Sequence, residues 1–361
     1  MVGKRLPSGD VQGDGARRVS LVDVAALSGV SVATASRALS PGSTHPVSAA
    51  TRLRVEAAAA QLGFRPNTLA RSFQSRRSST IGVLIHDVRD PYFNEFARAA
   101  SDAAQAAGYL TVICSTDRDP DRELRYVEMM VDNRVAGLLL VGGGLEDRAY
   151  ERGMRLLLGQ MAAYGGVAVA LGPRAGRIPA ELPDNVGGAR LATEHLIDLG
   201  HRRIALIDGP AALRTSKERR RGYEAALSEA GLEADPALIV PGFYSMEGGA
   251  RAVAKLVEAR PAPTAIFASN DSMAVGALNE LRRRQVSVPG DISVVGFDDI
   301  PMAALWDPPL TTVAVPMAAI GAAGVDRVIR LLDGSDRARR AVVHPTALVV
   351  RESTAPPAGR P

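Results

Sequence analysis

The 361-residue sequence predicts an α/β fold with an all-α head: a small N-terminal helix-turn-helix domain, then two doubly wound, Rossmann-like lobes. Three observations carry the prediction. Residues 20–39 read SLVDVAALSGVSVATASRAL, which parses as two short helices around a tight turn. From Ile81 onward, short apolar runs alternate with helical patterns. The charge is also divided: residues 1–79 carry a net +7 and the rest a net −3, summing to +4. A basic head on a slightly acidic body suits a polyanion-binding module joined to something else.

Residues 1–19 are polar and Gly-rich, without the apolar centre of a secretory signal, and are expected to be a disordered tail. Ser20 opens an S-x-x-D capping box with Asp23, ahead of the apolar Val24, Ala25 and Leu27. Gly29 supplies the turn, and Ser31 caps a second helix running to about Leu39. A helix in that second position is the one that enters a major groove. Ser48 caps a third helix whose apolar face is Val55, Ala58, Ala59 and Leu62, and Gly63 ends it. These elements make a helical domain over 20–65. Residues 66–79 follow as a hinge: Pro66 starts a short helix at Asn67, with Leu69, Ala70 and Phe73 on one side. So short a helix is marginal alone and is expected to form on contact.

The apolar runs are IGVLI (81–85), LTVIC (110–114), AGLLLV (136–141), VAVAL (167–171), RIALI (203–207), TAIFA (264–268) and SVVGF (293–297). Helical stretches at 94–107, 122–132, 187–199, 217–230, 247–259 and 272–284 lie between them. Seven such units suit two lobes of parallel sheet better than one. Polar residues follow the runs, among them His86-Asp87, Gly142-Gly143, Asp208-Gly209, Asn270-Asp271 and Asp298-Asp299. In open α/β sheets ligands bind beyond the carboxyl ends of strands. Asp271 and Asp299 serve equally well as caps of the next helices.

Several function classes are excluded. The single cysteine, Cys114, rules out an intrachain disulfide and a multi-cysteine zinc site, and its apolar run suits a core position. No apolar stretch reaches the ~18–20 residues of a membrane helix, so no membrane partner is expected and the chain is placed in the cytoplasm. There is no G-x-S-x-G elbow and no G-x-x-x-x-G-K-[ST] phosphate loop. His195 and His201, six apart, lack metal-ligand spacing and read as helix-end packing. No catalytic residue, metal or cofactor is expected. The rival reading is a carbohydrate- or nucleoside-binding protein with no role on DNA. The basic head and the lack of a signal peptide weigh against it.

Read in order, DVAALSGVSVATASRAL, VSAATRLRVEAAAAQLGFRPNTLARS, TIGVLIHDVRDPYF, GYLTVICSTDRDPDRE, ATEHLIDLGHRRIALIDGP, PTAIFASNDSMAVGAL and VSVPGDISVVGFDDIP closely resemble the LacI/GalR family of bacterial transcription regulators. The similarity runs from about residue 20 to Ser353. The resemblance implies a hinge helix, a two-lobed effector domain of the periplasmic-binding-protein type I class, and a homodimer on a pseudo-palindromic DNA operator. It also implies a repressor controlled by a small molecule, a sugar or sugar derivative by family analogy. The lobes are then interleaved: an N-lobe of 80–180 with 311–339, a C-lobe of 181–310 with 340–353, and a tail of 354–361.

By position, Val32, Ala33 and Arg37 match the family's base-contacting residues. Arg37 has the fork for guanine O6 and N7, or else serves a phosphate or an intrahelical pair. Val32 and Ala33 offer apolar contact to a thymine methyl. Thr34, Ser36, Ser48 and Thr51 suit phosphate contacts that position without specifying, and Asn67 matches a phosphate contact at the hinge. Ala70 lies on the same hinge face. Phe73 stands where the family wedges a leucine into the minor groove, and packing between two hinges is its other reading. Gln74 replaces a lysine of some members, and Pro46 resembles an inserted loop residue. In the effector domain Arg219, Asn270 and Asp298 match positions that bind hydroxyls, and Tyr92, Phe93 and Tyr244 match stacking faces. Asp184, in PDN, departs from the usual apolar residue there and is counted with the effector contacts. Gly172 stands where Asp is frequent. Leu213 stands where a purine-binding member has Arg, which weighs against a purine.

Overall fold

The computed structural model describes residues 19–39, 47–64, 78–338 and 340–358. The hinge expectations at Asn67, Ala70, Phe73 and Gln74, and the loop residue Pro46, lie outside these. The chain divides into two compact units, residues 1–77 and 78–361.

In the first unit, α1 (Leu21–Ser28), α2 (Val32–Ala38) and α3 (Ala49–Leu62) form as the caps predict. The Asp23 carboxylate accepts from the Ser20 backbone N–H (2.8 Å) and hydroxyl (2.7 Å), and Ser31 Oγ accepts from the Thr34 N–H at 3.1 Å. Gly29, in the left-handed region at φ +67°, ends α1, and the Val30 N–H reaches back to Ala25 O. That turn sets α1 and α2 at 97°, within the helix-turn-helix range. Val24, Ala25, Ala35, Ala38, Val55, Ala58 and Ala59 make the core. Mostly alanine and valine, it lets three short helices approach closely. Leu27, grouped with the apolar residues of α1, is 47% exposed instead.

The second unit holds two sheets. The strands β1 (Thr80–Ile85), β2 (Leu110–Ser115), β3 (Gly137–Val141), β4 (Val167–Leu171), β5 (Ala180–Pro183) and β11 (Ala341–His344) form one parallel sheet in the order β11-β5-β4-β3-β1-β2. The strands β6 (Ile204–Asp208), β7 (Ile239–Pro241), β8 (Ala265–Ala268) and β9 (Ser293–Val295) form a second, ordered β7-β6-β8-β9. β10 (Thr312–Ala314) pairs antiparallel with β12 (Ala347–Val349) and continues the second sheet through the bridges Val295–Thr311 and Asp298–Ala314. Both faces of each sheet are covered. Ile81, Val83 and Ile85 enter one core and Leu84 the opposite one, while Leu139 and Val141 oppose Leu138 and Leu140. This period of two on buried strands explains their continuous apolar runs.

The connecting helices are α4 (Pro91–Ala106), α5 (Pro120–Asp132), α6 (Arg148–Ala163), α7 (Asn185–Asp198), α8 (Arg214–Glu229), α9 (Met246–Leu256), α10 (Asp271–Arg283) and α11 (Met317–Asp333). Two of them, α6 and α11, were not among the helical stretches read from periodicity.

Three lobe boundaries differ from expectation. β5 ends at Pro183, so the first crossing follows 183 rather than 180. β10 continues the C-lobe sheet, so the second follows 314 rather than 310. β11 pairs with β5, with Ala341 opposite Ala180, so 341–344 belong to the N-lobe and the last crossing falls at 345–346. The cause is pairing: a strand goes where an open sheet edge accepts its backbone groups. Residues 354 and 355 are not a tail either. The Ala355 N–H donates to Ser293 Oγ at 3.0 Å, and Thr354 Oγ1 meets His195 Nε2 at 2.9 Å. Those contacts and His201 (Nδ1 to Thr264 Oγ1, 2.9 Å) show both histidines packing helix ends. Cys114 is only half-buried.

Candidate nucleic-acid interface and ligand cleft

The second helix of the first unit has two faces. Ala35 and Ala38 are buried, while Val32 (43% exposed), Ala33 and Arg37 point outward. Thr34 and Ser36 are half-buried between them. Ser48 Oγ caps α3 by accepting from the Thr51 N–H at 3.2 Å, and its hydroxyl lies 2.9 Å from Thr51 Oγ1. The first-turn amides of α3 therefore stand beside two exposed hydroxyls, an arrangement suited to phosphate oxygens. Arg37 has no ion pair among the described residues, so its fork is available to a ligand.

In the second unit, residues at the carboxyl ends of β1, β3, β6, β8 and β9 converge on one cleft between the lobes. Six of the seven sequence-derived effector residues line it: Tyr92, Phe93, Arg219, Tyr244, Asn270 and Asp298. Chain order reverses beside β1 in one sheet and beside β6 in the other, so the cleft lies at both topological switch points. Its free volume is about 40 Å³, room for a few waters.

Arg219 is the hub. It is 2% exposed, although it lies in the charged run KERRR. Its Nε donates to Asn185 Oδ1 (3.0 Å), its Nη2 to Asp298 Oδ1 (2.9 Å) and its Nη1 to Ser269 O. Its guanidinium carbon sits 3.7 Å from the centre of the Phe297 ring. Asp298 is 3% exposed and strained at φ +118°. Burial pushes its carboxyl well above the usual carboxylate range against the pull of Arg219, with Asp271 and Asp90 pushing the same way. Asp271 rises to about 7, mainly through burial, although Thr312 Oγ1 (2.5 Å) and the Ile300 N–H (2.9 Å) donate to it. Asp271 thus supports the wall rather than capping a helix. Asp299 pairs with Arg351 at 2.7 Å, which also overturns its cap reading. The actual cap of α10 is Asn270, whose Oδ1 accepts from the Met273 N–H at 2.9 Å.

Aromatic faces close the sides. Tyr92 and Phe93 meet edge to face at 5.1 Å. Tyr244, in the left-handed region at φ +56°, accepts from Ser216 Oγ at 3.0 Å, and burial raises its phenol to about 12. Arg118 lies 5.9 Å from the Phe93 ring centre and 5.8 Å from that of Tyr244, so one cation spans both lobes.

Asp184 is not in the cleft. Its Oδ1 accepts from the Gly187 N–H at 2.8 Å and caps α7, which accounts for an acid there. Gly172 is explained by space: a Cβ would lie 2.4 Å from the carbonyl carbon of Gly142. Leu213, buried, does line the cleft. Sequence reasoning missed Asp90, Arg118 and Thr215 as lining residues and listed His86 only as a strand end. Asp90 caps α4 by accepting from the Tyr92 N–H (3.1 Å), a D-P-Y pattern readable as a helix start. Burial, then Arg174 and Arg118, hold His86 well below its ordinary pKa, so it faces the cleft neutral.

Comparison with known proteins bears on both units. The profile described as bacterial regulatory proteins, lacI family, matches residues 20–67, and a periplasmic binding protein-like domain matches 193–354. The HTH-type transcriptional regulator DegA of Bacillus subtilis is 33% identical over 94% of this chain and 99% of its own. The HTH-type transcriptional repressor CytR of Escherichia coli is 33% identical over 93% and 96%. The lac repressor dimer bound to operator and the anti-inducer ONPF superposes with a TM-score of 0.83 at 28% identity, over 94% of this chain and all of that one. A transcriptional regulator CelR–cellobiose complex gives 0.69 at 32%, over 93% of this chain and all of that one. On its sequence, its helix-turn-helix and its two interleaved lobes, this chain belongs to the LacI family of bacterial transcription regulators.

Proposed function

We propose that the protein is a cytoplasmic, homodimeric repressor that reads a pseudo-palindromic operator with Val32, Ala33 and Arg37. Thr34, Ser36, Ser48, Thr51 and, at the hinge, Asn67 hold phosphates, and the hinge residues Ala70 and Phe73 act in the minor groove. A small polar effector of sugar class occupies the cleft between Arg219, Asp298, Asn270 and the aromatic faces. Its differential affinity for two arrangements of the lobes alters the spacing of the two hinges, and with it the operator affinity. The observation that carries this reading is the outward face of α2, apolar at Val32 and Ala33 and cationic at Arg37, on a helix whose other face is fully packed.

A second copy is supported by β2. It is the edge strand of its sheet, and Leu110 (66%), Val112 (42%) and Ile113 (46%) are exposed on it. An uncovered apolar edge is an association site. No single described helix is long and apolar enough to cross a membrane.

The test is a gel shift with DNA flanking the protein's own coding sequence, titrated with non-specific competitor. Binding that survives competitor supports the reading, and binding no tighter than to competitor overturns it. A thermal-shift screen of mono- and disaccharides and nucleosides then identifies the effector class.

A further inference from the structure

A second cavity, far larger than the interlobe cleft, opens on the N-lobe between α6, the loop 174–179 and the end of α11 at Leu331. Its volume is about 620 Å³, in the range of small-molecule sites. Its walls are apolar, with Met154, Leu158 and Ile178 among them. Its charge is one-sided. Arg155, Arg177 and Arg337 line it, and none has an ion pair among the described residues. The acid lining it, Glu151, is already held by Arg214 at 2.8 Å.

Arg174 also lines this cavity, and its side chain is only 4% exposed. Nη1 donates to Glu123 Oε1 and to Tyr150 Oη, both at 2.7 Å. Nε and Nη2 are buried with no acceptor. Buried donors almost always have partners, and each orphan needs an explanation. The Nε–Nη2 edge of a guanidinium is the one that takes both oxygens of a carboxylate or phosphate.

We propose that this cavity is a second ligand site, and that it takes an amphipathic organic anion: a carboxylate or phosphate monoester on an acyl or aryl body. The apolar walls take the body, and the three unpaired arginines take the head, with the buried Arg174 adding its charge to the wall. The occupant also bears on the lobes. Glu151 grips Arg214, the first residue of α8 in the C-lobe, and Gly144 and Leu145 of the cavity continue the Gly142–Gly143 segment lining the cleft.

Isothermal titration of the full chain with octanoate and with phenyl phosphate tests this, with benzyl alcohol and inorganic phosphate as controls. At least one organic anion binds, about tenfold or more tighter than either control. The stronger of the two assigns the head group. Two variants localise the site. Gly159 lines the cavity, and a Cβ there meets nothing within 4 Å, so Gly159→Phe adds bulk at the cavity wall with no clash at its Cβ. Arg155→Ala/Arg177→Ala/Arg337→Ala removes the rim charge and leaves the buried Arg174–Glu123 pair alone. Each weakens binding by about tenfold or more, with urea unfolding close to that of the parent. The proposal is overturned if neither anion binds at millimolar concentration, if benzyl alcohol binds as tightly as the anions, or if Gly159→Phe leaves the isotherm unchanged.

Discussion

Replacing Arg219 by methionine probes the centre of the cleft without requiring a known effector. The substitution keeps a long unbranched side chain against Phe297 but removes the donors to Asn185, Ser269 and Asp298. At 2.9 Å and an effective dielectric of ~20, the attraction to Asp298 alone is roughly 6 kcal/mol. Against it stands the cost of keeping Arg219 dry in the parent, several kcal/mol. Losing one partner of a buried pair therefore costs about 3–5 kcal/mol net, tolerable for a domain of ordinary stability. The cost depends on pH. The Asp298 carboxyl is already raised by burial, and without Arg219 it rises further. When protonated it leaves no unpaired charge, so the penalty shrinks as pH falls.

The assay is urea unfolding of parent and variant near pH 5 and near pH 8. The variant is destabilised at both, and clearly more at pH 8. Adding Asp298→Asn in the Arg219→Met background restores part of the loss at pH 8, because the stranded charge is gone. A penalty below about 1 kcal/mol, or one equal at both pH values, refutes the view that Arg219 and Asp298 form a buried charged pair.

Three further outcomes follow from the same structure. Arg37→Ala relaxes base preference at one operator position by about 1–3 kcal/mol, read by binding to single-base operator variants; equal loss on every sequence assigns Arg37 to a phosphate instead. Ile113→Asp on the exposed β2 edge yields monomers in sedimentation and loses operator affinity, and an unchanged dimer removes that edge from the interface. Asp271 titrates near 7 in the fold against 3.8 ordinarily. The folded state therefore binds the proton more tightly, and stability falls as pH rises from about 4 to about 7, by up to roughly 4 kcal/mol from this group. Asp271→Asn flattens that decline in pH-dependent unfolding, and an unaltered slope overturns the assignment.

Much of this was legible in the sequence because the signals are local. Ser20, Ser31 and Ser48 as caps, with Gly29 and Gly63 as stops, define the three helices to within a residue or two. The polar strand ends located the cleft for the same reason. What escaped was non-local. Nothing local to Asp184 tells a helix cap from a ligand contact; only where β5 ends decides it. α11 was not picked out because its small residues pack inward, where a Cβ on Gly321 would lie 2.9 Å from Phe96 O. The lobe crossings were misplaced because β11 is chosen by the free edge of β5, a partner some 160 residues away. Arg118 was invisible as a cleft residue because its importance comes from two rings on different lobes.

The contacts that join the lobes bear on how a ligand enters. Arg219 and Asp298 both belong to the C-lobe and move together. Across the gap stand Arg118 over Tyr244, the bridge between Leu145 and Leu213, and the pairs of Glu146 and Glu151 with Arg214 and Lys217. The side chains of those pairs are 22–51% exposed, and such pairs contribute little net stability and less in salt. The free space of about 40 Å³ is far below the ~300 Å³ of a small-molecule pocket. A ligand of monosaccharide size must therefore part the lobes before it can bind. It does so by breaking weak contacts, while the strong buried pair that greets it stays intact. Opening is then a modest cost that an effector's hydrogen bonds to Arg219 and Asp298 can offset, which is the energetic condition for two lobe arrangements to exchange under ligand control.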